Sequence, residues 1–215
     1  MTSNRPRILI ADDHTLVADL CTKLLETDFE VVGAVSNGRA MVRAASALKP
    51  DVIVVDIAMP VLNGLDAAQQ VKEILPTVKV VFVTMNADIE LAAEAFRRGA
   101  SAYLLKTCAA SEMLIAVREV LNGRSYMSRA ICKDDVDFLR RKEKKLVEED
   151  ERLTERQREV LQLLAEGKVM KEIADILNMT TRTVAFHKYR MMETLGAKSN
   201  AELVRYAIRH HIVAA

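Results

Sequence analysis

The stretch from Val52 to Asp66, V-I-V-V-D-I-A-M-P-V-L-N-G-L-D, contains the pattern that decides the fold. It opens with four consecutive β-branched residues, Val52–Val55, as a short strand buried on both faces does. Asp56 follows directly, and from Leu65 onward the apolar residues recur at helical spacing. The stretch therefore predicts a buried strand that ends in an acidic side chain, followed by a helix.

The same alternation of strand and helix extends through residues 1–122. Segments with helical spacing separate five short apolar runs, which we predict to be strands: Ile8–Ala11, Val31–Val35, Val52–Val55, Val80–Val83 and Ala102–Leu105. Five strands alternating with five helices predict an α/β domain with a doubly wound, five-stranded parallel sheet of the flavodoxin-like kind. Ligands of such sheets bind beyond the carboxyl ends of the strands.

Residues 153–215 have helical spacing throughout and no strand-like alternation. Thr154–Gln157 and Ser199–Glu202 have the capping-box pattern that starts a helix. We predict a small all-α domain whose four helices cover 154–166, 170–178, 181–195 and 199–210. This domain carries 10 Lys and Arg against 7 Asp and Glu, so it is the basic part of a chain whose net charge is +1.

Residues 123–152 join the two domains and are dense in charges of both signs. The pattern predicts a charged, helical linker that is exposed to solvent. An alternative is a short dimerising helix, whose apolar contacts would come from Val136, Leu139, Leu146 and Val147.

The composition indicates the class of protein. Of the 215 residues, 50% are hydrophobic and 28% are charged, which is typical of a globular chain. The apolar runs are far shorter than the ~20 residues of a membrane span, and the first residues lack the pattern of a signal peptide. Three widely spaced cysteines fit a reducing compartment. We therefore expect a cytoplasmic protein with no membrane partner.

Charged and hydroxyl side chains stand at the predicted strand ends. Asp12 and Asp13 follow the first strand and Asp56 the third, while Thr84 ends the fourth and Lys106 follows the fifth. Three clustered carboxylates either raise the pKa of one of them or bind a cation, and an oxygen ligand set suits Mg²⁺. A carboxylate can also be the nucleophile that forms an aspartyl-phosphate. The set favours a self-phosphorylating aspartate over a general acid–base enzyme.

These residues lie in motifs that resemble a known family. I-A-D-D-H, V-V-D-I-A-M-P-V-L-N-G-L-D, V-F-V-T-M and A-Y-L-L-K together resemble a two-component response-regulator receiver domain. L-T-E-R-Q-R-E-V-L-Q-L-L-A-E-G-K, K-E-I-A-D-I-L and T-V-x-x-H resemble a LuxR-type helix-turn-helix. In this order the two domains have the architecture of the NarL/FixJ-type transcription regulators.

The resemblance implies a role for each residue of the acidic set. Asp56 would accept a phosphoryl group from a histidine kinase. Asp13 and Asp56, with the backbone carbonyl of Ala58, would bind Mg²⁺, and Asp12 would act mainly through water. Four further roles are implied: Thr84 would hydrogen-bond the phosphoryl group, Lys106 would pair with it, Tyr103 would be the aromatic switch, and Met59–Pro60 with Gly64 would shape the loop after the acceptor.

Two residues depart from the family pattern. Met85 follows Thr84 where many receivers have a small residue, so we expect it to crowd the phosphoryl pocket. Thr107 follows Lys106 where many receivers have a proline with a cis bond. Because a non-proline cis bond costs ~3 kcal/mol, we expect a trans bond here.

The third helix of the basic domain, 181–195, is the expected DNA-reading helix. Its helical wheel places Val184, Met191 and Leu195 against the core and a second set on the opposite face: Arg182, Ala185, Phe186, Tyr189 and Glu193. The N-terminal part of such a helix enters the major groove. We expect Arg182 to read guanine and the apolar members to contact thymine methyl groups.

The remaining expectations for this domain concern phosphate contacts and structure. The candidates for contact with DNA phosphates are Lys168, Lys171, Lys188, Arg190 and Lys198. We interpret His187 as a structural residue rather than a ligand. Val169 stands where the second helix usually has a Ser or Thr cap, and the sequence does not show what replaces that cap.

The sequence allows three functional hypotheses. The first is a regulator that binds double-stranded DNA when phosphorylated, as a homodimer on phosphorylation or on DNA, and that is not an enzyme. The second is an aspartate-nucleophile phosphohydrolase, which needs a second acid two residues after the nucleophile, where this chain has Ala58. The third is an atypical regulator that works without phosphorylation.

Overall fold

The structure is a computed structural model that describes residues 5–131 and 153–213, which fall into two compact units. Most of the predicted linker, including the alternative contact residues Val136, Leu139, Leu146 and Val147, lies outside the described residues. The domain boundaries 1–122, 123–152 and 153–215 stay predictions.

The first unit is built on one parallel sheet. Its strands are β1 (Arg7–Ala11), β2 (Glu30–Val35), β3 (Val52–Asp56), β4 (Lys79–Thr84), β5 (Ala102–Leu105) and β6 (Tyr126–Met127), in the order β2-β1-β3-β4-β5-β6. Every residue of β3 is buried because strands pair with it on both sides and helices cover both faces. All neighbouring strands are parallel, so their carboxyl ends share one edge of the sheet.

Five helices cover the two faces of this sheet. They are α1 (Thr15–Leu25), α2 (Gly38–Leu48), α3 (Gly64–Ile74), α4 (Ile89–Arg97) and α5 (Ala109–Leu121). One apolar cluster joins the sheet to α2, α3 and α4 through residues such as Met41, Leu65 and Leu91. The other joins it to α1 and α5 through Leu25 and Met113. The predicted doubly wound parallel fold is thus confirmed.

The predicted number of strands was wrong, because the sheet has six strands in place of five. β6 comes from the range assigned to the linker and pairs with β5, with Tyr103 opposite Met127. A two-residue strand is too short to show a hydrophobic period, so the sequence pattern did not reveal it.

Ser128, directly after β6, fastens this strand to the sheet. Its backbone N–H donates to the carbonyl of Tyr103 at 2.9 Å. Its hydroxyl accepts the N–H of Leu105 at 3.1 Å and donates to the Glu112 carboxylate at 2.5 Å. Ser128 is fully buried, and its bond with Leu105 is formed away from water, whereas the Glu112 carboxylate is partly exposed. We call Ser128 with these three partners the β6 clasp.

The second unit contains α6 (Glu155–Ala165), α7 (Met170–Leu177), α8 (Thr181–Leu195) and α9 (Asn200–Arg209), which confirms the four predicted helices. Thr154 and Gln157 form the predicted reciprocal cap at the start of α6. At α7, the Glu172 carboxylate accepts the N–H of Val169 at 2.8 Å. One half of a capping box thus remains without a Ser or Thr.

Over the described ranges, the helices are too short or too polar for any of them to cross a lipid bilayer.

The β6 clasp predicts a measurable contribution to stability. Ser128→Ala should lower the free energy of unfolding of the first unit by about 1–3 kcal/mol, because it leaves the Leu105 N–H and the Glu112 carboxylate without their buried partner. Urea unfolding measures this change in free energy. Hydrogen exchange in peptides from β4 and β5 is a second, local measurement of it. Ser125→Ala, at an exposed serine, should change it by less than about 0.5 kcal/mol. Equal stability of the two variants would contradict the assigned role.

Candidate functional site

Three carboxylates meet at the carboxyl edge of the sheet. Asp12 follows β1 and Asp56 ends β3, and both are buried, while the neighbouring Asp13 is partly exposed. Because β1 and β3 are adjacent and parallel, their ends lie side by side. The convergence predicted from the strand ends is therefore present.

Lys106, directly after β5, bridges two of these carboxylates. Its ammonium nitrogen Nζ lies 2.9 Å from an oxygen of Asp12 and 2.8 Å from an oxygen of Asp56. A single cation thus offsets the repulsion between two buried anions. The second oxygen of Asp56 accepts the N–H of Ala58 at 3.3 Å, so both oxygens of this carboxylate have a donor.

Burial and the charge of Lys106 act in opposite directions on the pKa values of this site. Burial raises the pKa of Asp56 above its ordinary value, although the hydrogen bond and the charge of Lys106 oppose the shift. For Lys106, burial alone would lower the pKa, but the hydrogen bonds to Asp56 and Asp12 outweigh it and raise the pKa. Cys21 lies nearby on α1, and burial, with the charge of Asp12, raises its pKa to about 11. Its thiol therefore stays protonated near neutral pH and is a poor nucleophile.

The same edge offers ligands to a divalent cation. Asp12, Asp13, His14 and Asp56 each provide one ligand atom, and these four atoms lie within 4.8 Å of one another. Such an oxygen-rich set fits a hard cation. The sequence analysis did not include His14, whose Nδ1 lies 2.9 Å from Asp13. Its position next to the two aspartates, A-D-D-H, was the available signal.

Gly64 lets the loop after Asp56 close over the end of β3. A Cβ atom at this position would lie 2.1 Å from the backbone carbonyl oxygen of Asp56, a distance no side chain can occupy. The N–H of Gly64 donates to the carbonyl of Ile57 at 2.8 Å. This is the close approach for which the sequence needs a glycine.

A hydrogen-bonded network joins the loop after Asp56 to the end of α4. Asn63 caps α3 and its amide donates to Asp66 at 2.9 Å. The other oxygen of Asp66 accepts from Arg98, just after α4, at 2.7 Å. The sequence analysis missed this pair, because nothing in a residue type identifies a partner 32 positions away.

Thr84 and Tyr103, both predicted site residues, lie on neighbouring strands and share one contact. Tyr103 is fully buried, and its hydroxyl donates to the backbone carbonyl of Asn86 at 2.9 Å. The Thr84 hydroxyl accepts the N–H of the same Asn86 at 3.2 Å. The backbone of Asn86 thus links the two side chains, which the sequence did not reveal.

The two departures from the family pattern have different outcomes. Every peptide bond between described residues is trans, which confirms the trans bond expected at Thr107. The expected crowding by Met85 finds no support, because its side chain is 70% exposed and so lies mainly in solvent.

The α8 helix presents two different faces. Val184 and Met191 are fully buried and Leu195 is partly buried, as the wheel predicted. On the opposite face Arg182 is exposed, and Phe186 and Tyr189 are 61% and 63% exposed. Ala185 and His187 lie at the margins and are partly buried. Burial, helped by the charge of Arg156, lowers the pKa of His187, so its ring is mainly neutral at neutral pH.

The predicted phosphate-contact residues are five basic side chains of the second unit. Lys188 is partly buried, with Nζ 5.9 Å from the centre of the Tyr189 ring, and Arg190 forms an ion pair with Glu193 at 2.9 Å. The other three candidates are exposed: Lys168, Lys171 and Lys198.

Two family models match the chain, one for each unit. Residues 8–118 match the model described as the response regulator receiver domain. Residues 151–207 match the model described as bacterial regulatory proteins of the luxR family.

Relatives with similar sequences span almost the whole chain. The response regulator protein VraR of Staphylococcus saprophyticus is 32% identical over 209 residues, which cover 96% of this chain and 98% of that protein. VraR of Staphylococcus epidermidis is 33% identical over the same length and coverage.

Solved structures resemble the chain over the same length. The RcsB response regulator of Salmonella typhimurium, described in terms of conformational dynamism for DNA interaction, is 26% identical with a TM-score of 0.60 and covers 94% of this chain and 96% of its own. A complex of the two-component response regulator RcsB with DNA is also 26% identical, with a TM-score of 0.57 and coverages of 94% and 98%.

Proposed function

This chain belongs to the response regulators that join a receiver domain to a LuxR-type DNA-binding domain, and from this premise we propose that phosphorylation of Asp56 controls its binding to promoter DNA. The observation that carries the proposal is the buried Asp56 carboxylate, held by Lys106 beside two further aspartates. The family connection supports transcription regulation, which takes place in the cytoplasm of a bacterium.

The proposed transfer uses Asp56 as the nucleophile. A carboxylate oxygen attacks the phosphorus atom of a phosphohistidine on a sensor kinase, the P–N bond breaks, and the histidine leaves. Asp12, Asp13, Asp56 and the carbonyl of Ala58 would hold Mg²⁺, which supplies positive charge to the phosphoryl oxygens when bound. Lys106 pairs with one of those oxygens and Thr84 donates a hydrogen bond to another.

Transfer changes what Thr84 can bind. In the structure its hydroxyl accepts from the N–H of Asn86, whose carbonyl accepts from Tyr103. Once the hydroxyl turns to a phosphoryl oxygen, we expect the Asn86 backbone and the ring of Tyr103 to settle in a second arrangement. Such a two-state element can connect a local charge to a distant surface.

The residue two positions after Asp56 supports a regulator over a phosphohydrolase. Ala58 has a methyl side chain, which can neither donate nor accept the proton that hydrolysis of the acyl phosphate requires. The phosphoryl group should therefore persist long enough to act as a signal.

Asp56→Asn tests the acceptor. Incubation of the full chain with acetyl phosphate and Mg²⁺ should add the mass of one phosphoryl group to the native protein and none to the variant, because an amide is not a nucleophile here. Intact mass spectrometry measures the addition. Asp19→Asn, at an exposed aspartate of α1, should be labelled normally. Labelling that persists in Asp56→Asn would overturn the assignment, and a native protein that is never labelled would favour the phosphorylation-independent alternative.

We propose that the phosphorylated chain binds DNA as a homodimer. A single recognition helix reads few base pairs, and each mismatch costs only ~1–3 kcal/mol, so one copy has little specificity. Two linked copies combine their contacts through effective concentration. Among the similar structures, one is described as two RcsB dimers bound to two parallel DNAs.

Light scattering tests the dimer. Phosphorylated chain should have about twice the mass of a single chain when free, and the mass of two chains plus one duplex when bound to DNA. The Asp56→Asn variant, treated in the same way and without DNA, should stay at the mass of one chain. A single chain in every condition, with DNA bound, would contradict the proposal.

The two groups of residues on and around α8 should affect DNA binding differently. Arg182→Ala should reduce the preference for one base at a single position of the site. It should also weaken binding to the cognate duplex by roughly 1–3 kcal/mol. Lys188→Ala should weaken binding to cognate and random DNA equally. It should also reduce, by about 1, the slope of the logarithm of the binding constant against the logarithm of the salt concentration. Titrations of both duplexes at several salt concentrations compare the variants. A sequence-selective loss in Lys188→Ala, with only a salt effect in Arg182→Ala, would mean that the helix docks in another rotation.

A further inference from the structure

Two exposed aromatic side chains stand on the outer face of α8. Phe186 and Tyr189 are 61% and 63% exposed, and no other described Phe or Tyr is exposed. They are three positions apart, so they share one side of the helix. Ala185, partly buried beside them, adds a methyl group. A cluster of this kind on a small domain marks a binding surface.

The charges around this cluster indicate its partner. Arg182 lies on the same face, Lys188 lies beside Tyr189, and Lys171 is exposed at the start of α7, which packs against α8. The acidic member of this face, Glu193, is paired with Arg190 at 2.9 Å, so the margin of the apolar centre is mainly basic. Such a surface is complementary to a polyanion that also offers apolar groups. The major groove of B-DNA fits this description, since phosphates line its walls and thymine methyl groups project from its floor.

The side chains on the outer face of α8 limit how this helix can recognise bases. Ala185 and Phe186 have no hydrogen-bonding group, and Tyr189 has one hydroxyl at the end of a ring. Only Arg182 has the paired donors that recognise guanine. The C5-methyl group of thymine is the apolar group on the base edges of the major groove. Contact with it removes apolar surface of both partners from water.

We propose that Phe186, with Ala185, recognises the C5-methyl group of thymine, so that the target site is selected by thymine methyls as well as by the guanine that Arg182 reads. This inference rests on the proposed DNA binding and specifies the chemical group that is read. Tyr189 lies one turn further along the helix and extends the same apolar contact.

Replacement of thymine by uracil is the direct test, because it removes the methyl group and preserves base pairing. Phosphorylated full-length chain first selects a site from a random duplex pool, and each thymine of that site is then replaced singly by uracil. At least one replacement in each half-site should weaken binding about fourfold, the equivalent of the ~0.8 kcal/mol that burial of one methyl-sized group contributes. 5-Bromouracil at the same position, with a substituent of similar size, should restore the affinity.

Phe186→Ala assigns the effect to its residue. The variant should bind thymine and uracil duplexes equally at the sensitive position, because the side chain that distinguishes them is gone. Arg182→Ala is the matched control from the same face and should keep the full difference between the two duplexes. Since Phe186 is exposed, the variant should fold normally, and circular dichroism checks this.

The outcomes separate this inference from the proposed function. Failure of the phosphorylated chain to select any DNA would overturn both. Selective binding that is indifferent to uracil at every thymine would overturn only the methyl recognition. An undiminished uracil effect in Phe186→Ala would remove Phe186 from that role. Loss of the dimer in Phe186→Ala without DNA, with the uracil effect unchanged, would show instead that the cluster binds a second copy of the chain.

Discussion

The first unit depends on one buried cation placed between two buried anions. Asp12 and Asp56 come from adjacent strands, so the parallel sheet itself forces their carboxylates together. Lys106 makes this tolerable, with its nitrogen within 3 Å of an oxygen from each. Removing Lys106 would leave two buried carboxylates without a cation, which is strongly destabilising. The loop that begins after this charged triad packs tightly on it at Gly64, where there is no room for a Cβ beside the backbone carbonyl of Asp56.

A phosphoryl group on Asp56 would have its strongest electrostatic effect on this triad. Its added negative charge competes for Lys106 and for a divalent cation at the neighbouring carboxylates. Lys106 follows β5 directly, and β5 carries Tyr103 and pairs with β6. A rearrangement at Asp56 would reach β6 through the Lys106 side chain, the chain of β5 and the backbone pairing between β5 and β6.

The sequence revealed those features that repeat or that occur at defined points of a pattern. Buried strands such as β3 show as β-branched runs, and the acidic set could be found because parallel strands place their carboxyl ends together. The helical wheel of α8 separated Val184 and Met191 from Phe186 and Tyr189 correctly. Each of these inferences uses local periodicity with one general rule of topology.

Features that depend on one long-range partner were not predictable in this way. The clasp at Ser128 requires Leu105 and Glu112, and the contact between Asp66 and Arg98 spans two helices. The direction of the Met85 side chain depends on the bend after β4, which residue type does not specify. Such contacts arise from the packed structure, and a single sequence has no period that marks them.

β6 also forms one edge of the described sheet, next to β5. Without it, the fully buried apolar strand β5 would become an open edge, ready to pair with another copy of itself. The residues of β6, which stand at the start of the connection to the DNA-binding unit, therefore cover the edge of β5 and protect the sheet from aggregation. An exchange of DNA-binding units between such chains, in evolution or in the laboratory, keeps the receiver intact only when the junction falls beyond Ile131, whose side chain still packs in the receiver core.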